Sequence, residues 1–157
     1  TRIGEALGLS AQARRQALAG SLLLSADNGH AVHPNFPEKA DPANKVYPNG
    51  GVVIKYSANQ KYTTTGLTAG LFQAICQKAG VPVQVFANRA DEPGGSTLGN
   101  LLGHQVSIPM VDIGMAQLAM HSAVETAGSR DPEYMARACA AFFQAEFTQT
   151  ADGVYQF

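Results

Sequence analysis

Asp27, His30 and His33 stand close together in the segment Ser25-Ala26-Asp27-Asn28-Gly29-His30-Ala31-Val32-His33-Pro34-Asn35. Carboxylate and imidazole both suit Zn²⁺, so this spacing is compatible with a metal site. The same residue types also serve as ordinary hydrogen-bonding groups in a loop, and the pattern alone is a weak signal. His121 closes an apolar stretch that starts at Ile113, and Glu125 follows four positions later. On a helix that interval is one turn, so the carboxylate would either orient the imidazole or simply face solvent. Lys55, in Val52-Val53-Ile54-Lys55-Tyr56, is a cation carried on an apolar run.

A glycine-rich turn, Gly94-Gly95-Ser96-Thr97-Leu98-Gly99, has the G-x-x-x-x-G spacing of a phosphate loop. Asn100-Leu101 follows where that loop requires a lysine and a hydroxyl, so the charge for a phosphate is missing. Ser96 replaces the second glycine of the dinucleotide fingerprint, and H-E-x-x-H, C-x-x-C and G-x-S-x-G are absent. The turn reads as a tight connection through which backbone approaches a neighbour or a ligand.

These residues need elements to carry them. Ser10 before Ala11 to Ala19, with Gly20 after, reads as a capped helix with a glycine stop. Ser21 to Asp27 is a short apolar run that delivers Asp27 at its end, as a buried strand would. The stretch 28–51 reads as a loop longer than a simple connection, which marks it as functional or as a contact with a neighbour. Strands follow at 52–56, 81–87 and 106–113, and helices at 65–79, 116–127 and 131–147. Strands alternating with helices indicate an α/β fold with a largely parallel sheet.

The bulk composition narrows the function classes. Eleven basic and twelve acidic residues in 157 leave a net charge of −1, so no positive field draws nucleic acid or an anionic membrane. No run approaches the ~18 apolar residues of a membrane span. Cys76 and Cys139 lie far apart in apolar helical stretches and read as packed, reduced thiols. Only 15% of residues are charged, against about 25% in a typical domain. That shortage suggests burial in an assembly or membership of a larger fold, and the first residue, Thr1 rather than Met, leans the same way.

Taken together, the chain resembles the aspartyl aminopeptidase family of dinuclear zinc metallopeptidases, with wording closer to bacterial members. The resemblance rests on Ser25 to Asn35, on Val53-Ile54-Lys55 with Gln60-Lys61-Tyr62, on the Gly94 to Gly99 turn, and on Val111-Asp112-Ile113-Gly114 leading to Met120-His121-Ser122. It implies a three-layer, zinc exopeptidase-like α/β fold with a largely parallel mixed sheet and helices on both faces. Asp27 would be a ligand to one zinc and His121 to the other. Lys55 and His30 would line the pocket for the substrate's N-terminal residue, with Tyr62 beside them and Gly94 and Gly95 shaping its floor. His33 would mainly hold the loop.

The family pattern also demands a first histidine ligand, a bridging aspartate and two adjacent glutamates, one of them the general base, all before the Asp27 segment. Residues 1–26 contain no histidine or aspartate, and no Glu-Glu pair occurs anywhere. The chain is therefore expected to be the C-terminal portion of a catalytic domain, without the N-terminal portion and the dimerisation domain. No catalytic residue is expected in it, and it should be inactive alone. The intact protein would be a cytoplasmic zinc aminopeptidase, a tetrahedral dodecamer acting on peptides with a lean to acidic N-termini, and engaging neither nucleic acid nor membrane. The competing readings are a non-catalytic structural or regulatory module and another metal-dependent hydrolase of the same fold.

Overall fold

The computed structural model describes residues 2–156, so Thr1, which entered the expectation of a longer protein, and Phe157 lie outside the description. Two short helices lead, α1 (Arg2–Ala6) and α2 (Ala11–Ala19). The Ser10 hydroxyl accepts from the Ala13 N–H at 3.1 Å, and Gly20 closes α2 by donating to Gln16 and Leu18 carbonyls. Neither helix buries a residue.

Strand β1 (Leu23–Ala26) and the two-residue β2 (Gly29–His30) follow, then a long connection with one 3₁₀ turn at Pro37–Lys39. After β3 (Val52–Tyr56) comes α3 (Gly66–Lys78). The start of α3 is a capping box built from two threonines: the Thr68 N–H donates to the Thr65 hydroxyl, and Thr68 Oγ1 accepts from the Thr65 N–H. Gly80, in the left-handed region at φ 63°, ends it. The remainder is β4 (Val83–Ala87), α4 (Leu98–Gly103), β5 (Met110–Gly114), β6 (Ala116–Leu118), β7 (Thr126–Ala127), α5 (Asp131–Gln144) and a hairpin of β8 (Thr148–Ala151) and β9 (Val154–Gln156).

The main sheet has the order β1-β5-β3-β4, with β1 parallel to β5, β3 parallel to β4, and β3 antiparallel to β5. A small second sheet, β2-β6-β7, continues from the ends of β1 and β5. Side-chain alternation along β3 and β5 divides the interior in two. Val52, Ile54, Val111 and Ile113 pack on Ala69, Phe72 and Cys76 of α3 and on Ala138 of α5. Val53 faces the other way, into a layer with Ala31, Val46, Tyr62, Phe86 and Ala116. Helix α4 joins this second face, because the Gly99 N–H donates to Ser25 Oγ, and Ser25 pairs with Asp112 in register. The α/β class and the mixed sheet agree with the sequence expectation.

Several elements differ, among them α1, α4 and the β8–β9 hairpin, which the sequence reading did not anticipate. Residues 116–127 form no helix: Ala116–Leu118 is a strand, and Ala119 and His121 sit in the left-handed region at φ 56° and 68°. The cause is tertiary. Ala116 and Gln117 pair with Gly29 and His30, and a chain already committed to that parallel ladder cannot also close i→i+4 bonds. Helix α5 ends at Gln144, three residues short of expectation, and the stretch read as loop 28–51 contains β2. Strand β5 starts only after Pro109, which lacks the N–H a ladder needs. Asp131, almost fully buried, joins distant segments by accepting from the Asn49 N–H at 2.8 Å and the Gly51 N–H at 3.4 Å. Among the described residues, no helix is long and apolar enough to cross a membrane.

Candidate functional site

Asp27 is the first residue beyond β1. Its backbone is held from two directions: its N–H donates to Ile113 O at 2.9 Å, and its carbonyl accepts from Lys55 Nζ at 2.8 Å. The fit against β5 is tight enough that a Cβ on Gly114 would lie 2.0 Å from the Asp27 carbonyl oxygen. The carboxylate itself points outward, with the side chain 59% exposed and Oδ2 at 3.8 Å from Lys55 Nζ. The exposed carboxylate thus stands at a rigid strand end with Lys55 as its ion-pair partner.

Lys55 is the reverse case. Alternation along β3 turns it into the second interior layer, where its side chain is only 2% exposed. Its ammonium reaches the carbonyls of Asp27 and Asn28, at 2.8 and 3.5 Å, and lies 5.0 Å from the centroid of the Tyr62 ring. Burial pulls its pKa down, and the charges of Asp27 and Asp112 act against that pull. Tyr62 is buried too; its hydroxyl accepts from Asn88 Nδ2 at 3.3 Å, and its ring tilts against Phe86. Gly94 adjoins this pair, since a Cβ there would be 2.3 Å from Asn88 Nδ2, and its carbonyl accepts from Lys61 Nζ at 2.8 Å. Gly95, next to it, has open space on its Cβ side.

His30 ends β2 opposite Gln117 and lines an open cleft of about 290 Å³ with His33, Phe86, Asn88 and Gln117. His33 does hold its loop, its Nδ1 accepting from the Asn35 N–H at 3.2 Å while the ring packs on Phe36. Asp27 does not face this cleft. It lines a different cavity, of about 620 Å³, between β1 and α4. His121 follows β6 by three residues, and because β6 runs parallel to β2 the chain there leads away from the Asp27 end of β1, so the structure does not bring His121 beside Asp27. Glu125 meets His121 through the backbone: Oε1 accepts from the His121 N–H at 2.6 Å and does not orient the ring. The helical spacing behind that expectation is absent.

The structure thus links Asp27 to Lys55, Lys55 to Tyr62, and Tyr62 through Asn88 to Gly94, while His30 opens on the separate cleft it shares with His33. Sequence reasoning gave Asn28 and Asp112 no role of their own. Asn28 Oδ1 accepts from the Met115 N–H at 3.1 Å. Asp112, fully buried, accepts from both the N–H and the hydroxyl of Thr63, at 2.6 and 2.8 Å. The signal for Asp112 was available: a carboxylate amid Val111 and Ile113 must find partners inside the protein. Carboxylate and imidazole, as donor types, fit zinc. Two of them are fewer than a zinc site needs, and among the described residues no three His, Cys, Asp or Glu side chains converge.

Comparison with known proteins supplies the context. The family described as aminopeptidase I zinc metalloprotease (M18) matches residues 1–143. The chain belongs to the M18 family. The bacterial resemblance is matched by a Mycobacterium leprae protein named "Probable M18 family aminopeptidase 2", 48% identical over 129 residues, 82% of this chain and 30% of the relative. The cryo-EM structure of the Ape4 and Nbr1 complex superposes with a TM-score of 0.87 at 40% identity, over 91% of this chain and 27% of that one. The structure of the S. cerevisiae mApe1 dodecamer gives a TM-score of 0.72 at 31% identity, over 81% and 27%. This M18 chain therefore spans about 30% of the length of the curated relatives it matches.

Proposed function

We propose that these residues form part of a zinc-dependent aminopeptidase that removes N-terminal residues, preferring acidic ones, from peptides. The observation that carries the reading is the pairing, in an M18 chain, of an exposed Asp27 carboxylate with a buried cation directly behind it. Asp27 is the ligand to one zinc and His121 to a second, with the remaining ligands and the general-base glutamate supplied from outside these residues. When bound, the metal pair supplies Lewis acidity and lowers the pKa of water at the site. Lys55 makes the region behind Asp27 positive, which favours an acidic side chain at the substrate's N-terminus. His30 can donate to the substrate carbonyl from the edge of its cleft. Tyr62 supplies an apolar wall, and the Gly94-Gly95 backbone lets the substrate approach closely. These residues are the C-terminal portion of the catalytic domain, and the whole protein acts as a cytoplasmic homo-dodecamer.

The test uses the natural protein that contains this chain. It should turn over aspartyl or glutamyl anilides faster than neutral ones, and chelation should abolish turnover. Asp27→Ala and His121→Ala should each lose bound zinc and most activity. Zinc content unchanged in both variants would remove the ligand assignment.

A further inference from the structure

We infer that Lys55, together with Asn28, is a positioning residue that holds the Asp27–Gly29 turn so that the Asp27 carboxylate is presented in one direction. The inference rests on the reading of Asp27 as a zinc ligand, and deepens it.

A lysine whose one task is to greet an acidic substrate would keep its ammonium within reach of solvent. Lys55 instead spends two of its three donors on main-chain carbonyls, Asp27 O at 2.8 Å and Asn28 O at 3.5 Å, with its side chain 2% exposed. Its stem runs under Gly29, where a Cβ would lie 3.6 Å from Lys55 Cδ. The opposite side of the turn is fastened to β5 and the residue beyond it. Asp27 N–H donates to Ile113 O, Gly29 N–H donates to Met115 O, and Met115 N–H donates to Asn28 Oδ1. Lys55 is thus the clamp from β3, and Asn28 the side-chain clamp from within the turn. These five bonds fix the main chain on both sides of the Asp27 Cα. What remains is a short carboxylate side chain, which points outward with Lys55 Nζ 3.8 Å from its Oδ2. Groups that orient a metal ligand from behind commonly matter to affinity almost as much as the ligand itself.

Two variants of the natural protein test this, Lys55→Met and Asn28→Ala. Three measurements apply to each: zinc affinity by chelator competition, amide exchange of residues 27–29 in the metal-stripped protein, and kcat and KM on acidic and neutral aminoacyl anilides. Both variants should bind zinc about 10-fold or more weakly. Exchange at 27–29 should accelerate while that of α3 stays unchanged. For Asn28→Ala, kcat should fall by a common factor on both substrates. A further loss of acidic preference in Lys55→Met would report the pocket charge and is a separate effect. Wild-type zinc affinity and wild-type exchange in Lys55→Met would overturn the inference. If Lys55→Met fails to fold, unchanged affinity and exchange in Asn28→Ala overturn it instead. Should the wild type prove inactive on every anilide, the aminopeptidase reading fails, and the zinc and exchange measurements still decide this one.

Discussion

Asp112 sits in the middle of β5 with no exposed surface, and one of its oxygens takes two bonds from Thr63. Its other oxygen, Oδ1, has no hydrogen-bond partner among the described residues. A buried carboxylate in this state is costly, and its Thr63 bonds are what offsets that cost. Asp112→Ala would strand the Thr63 donors beside a new void, and should destabilise the fold by about 1–3 kcal/mol. Asp112→Asn keeps an oxygen for Thr63 and should cost less. Urea unfolding of both variants checks the order, and a neutral alanine variant would show that Thr63 readily finds water. At this same scale, Asp27 and Lys55 were both legible as residues with chemistry. Which of them meets solvent was not, because exposure depends on what packs over each face.

Elements were read best where one local pattern dominates. Helix α3 has apolar residues at helical spacing, a threonine cap and a glycine stop, and it lies almost where that pattern puts it. The run from Ile113 to Met120 lacks such a pattern, and its partner strand lies nearly ninety residues earlier, so nothing nearby in the chain announced β6. Helices α3 and α5 also meet at a titratable group. Burial between them, with Cys139 contributing, pushes the Cys76 thiol up to about 12, from 9.0 in its unperturbed form. Between those values the folded chain keeps a proton that the unfolded chain has released. Stability from this thiol is therefore complete below pH 9 and lost as pH rises towards 12. The difference in unfolding free energy between wild type and Cys76→Ala should shrink from about pH 8.5 to about pH 11. A difference that stays constant over that range would mean the thiol titrates as if exposed.

At the scale of the whole molecule, large apolar side chains lie on the surface: Ile3 and Leu7 of the first helical hairpin, Leu98 and Leu101 of α4, and Phe143 of α5. The low charge read from composition has this physical form. In a chain about 30% as long as its curated relatives, such faces are ones that further protein would cover. The 157-residue chain prepared alone should self-associate with rising concentration, which light scattering after size-exclusion chromatography would measure. It should also give no zinc-dependent turnover of an aspartyl anilide, because two ligands do not hold a dinuclear centre against water. Robust turnover by a monodisperse monomer would contradict both expectations.

Read without the structure, the chain already yielded the α/β class, the positions of α2, β1, β3, α3, β4, β5 and α5, the place of Asp27 at a strand end, and the family resemblance. Each of these is written in short-range periodicity or in one contiguous segment. Tertiary structure decided that Ala116–Leu118 is a strand, that His121 sits in a left-handed turn, and that Glu125 holds its backbone. It also decided that Lys55 is buried against the Asp27 turn. The β6 strand and the burial of Lys55 come from hydrogen bonds between segments far apart in the chain, where local propensity is nearly neutral, and the Glu125–His121 bond is a local one formed in the turn that β6 leaves behind it. Alternation along β3 assigns Lys55 to a face, but only the packing of Tyr62 and the residue 27–29 turn over that face closes it to water.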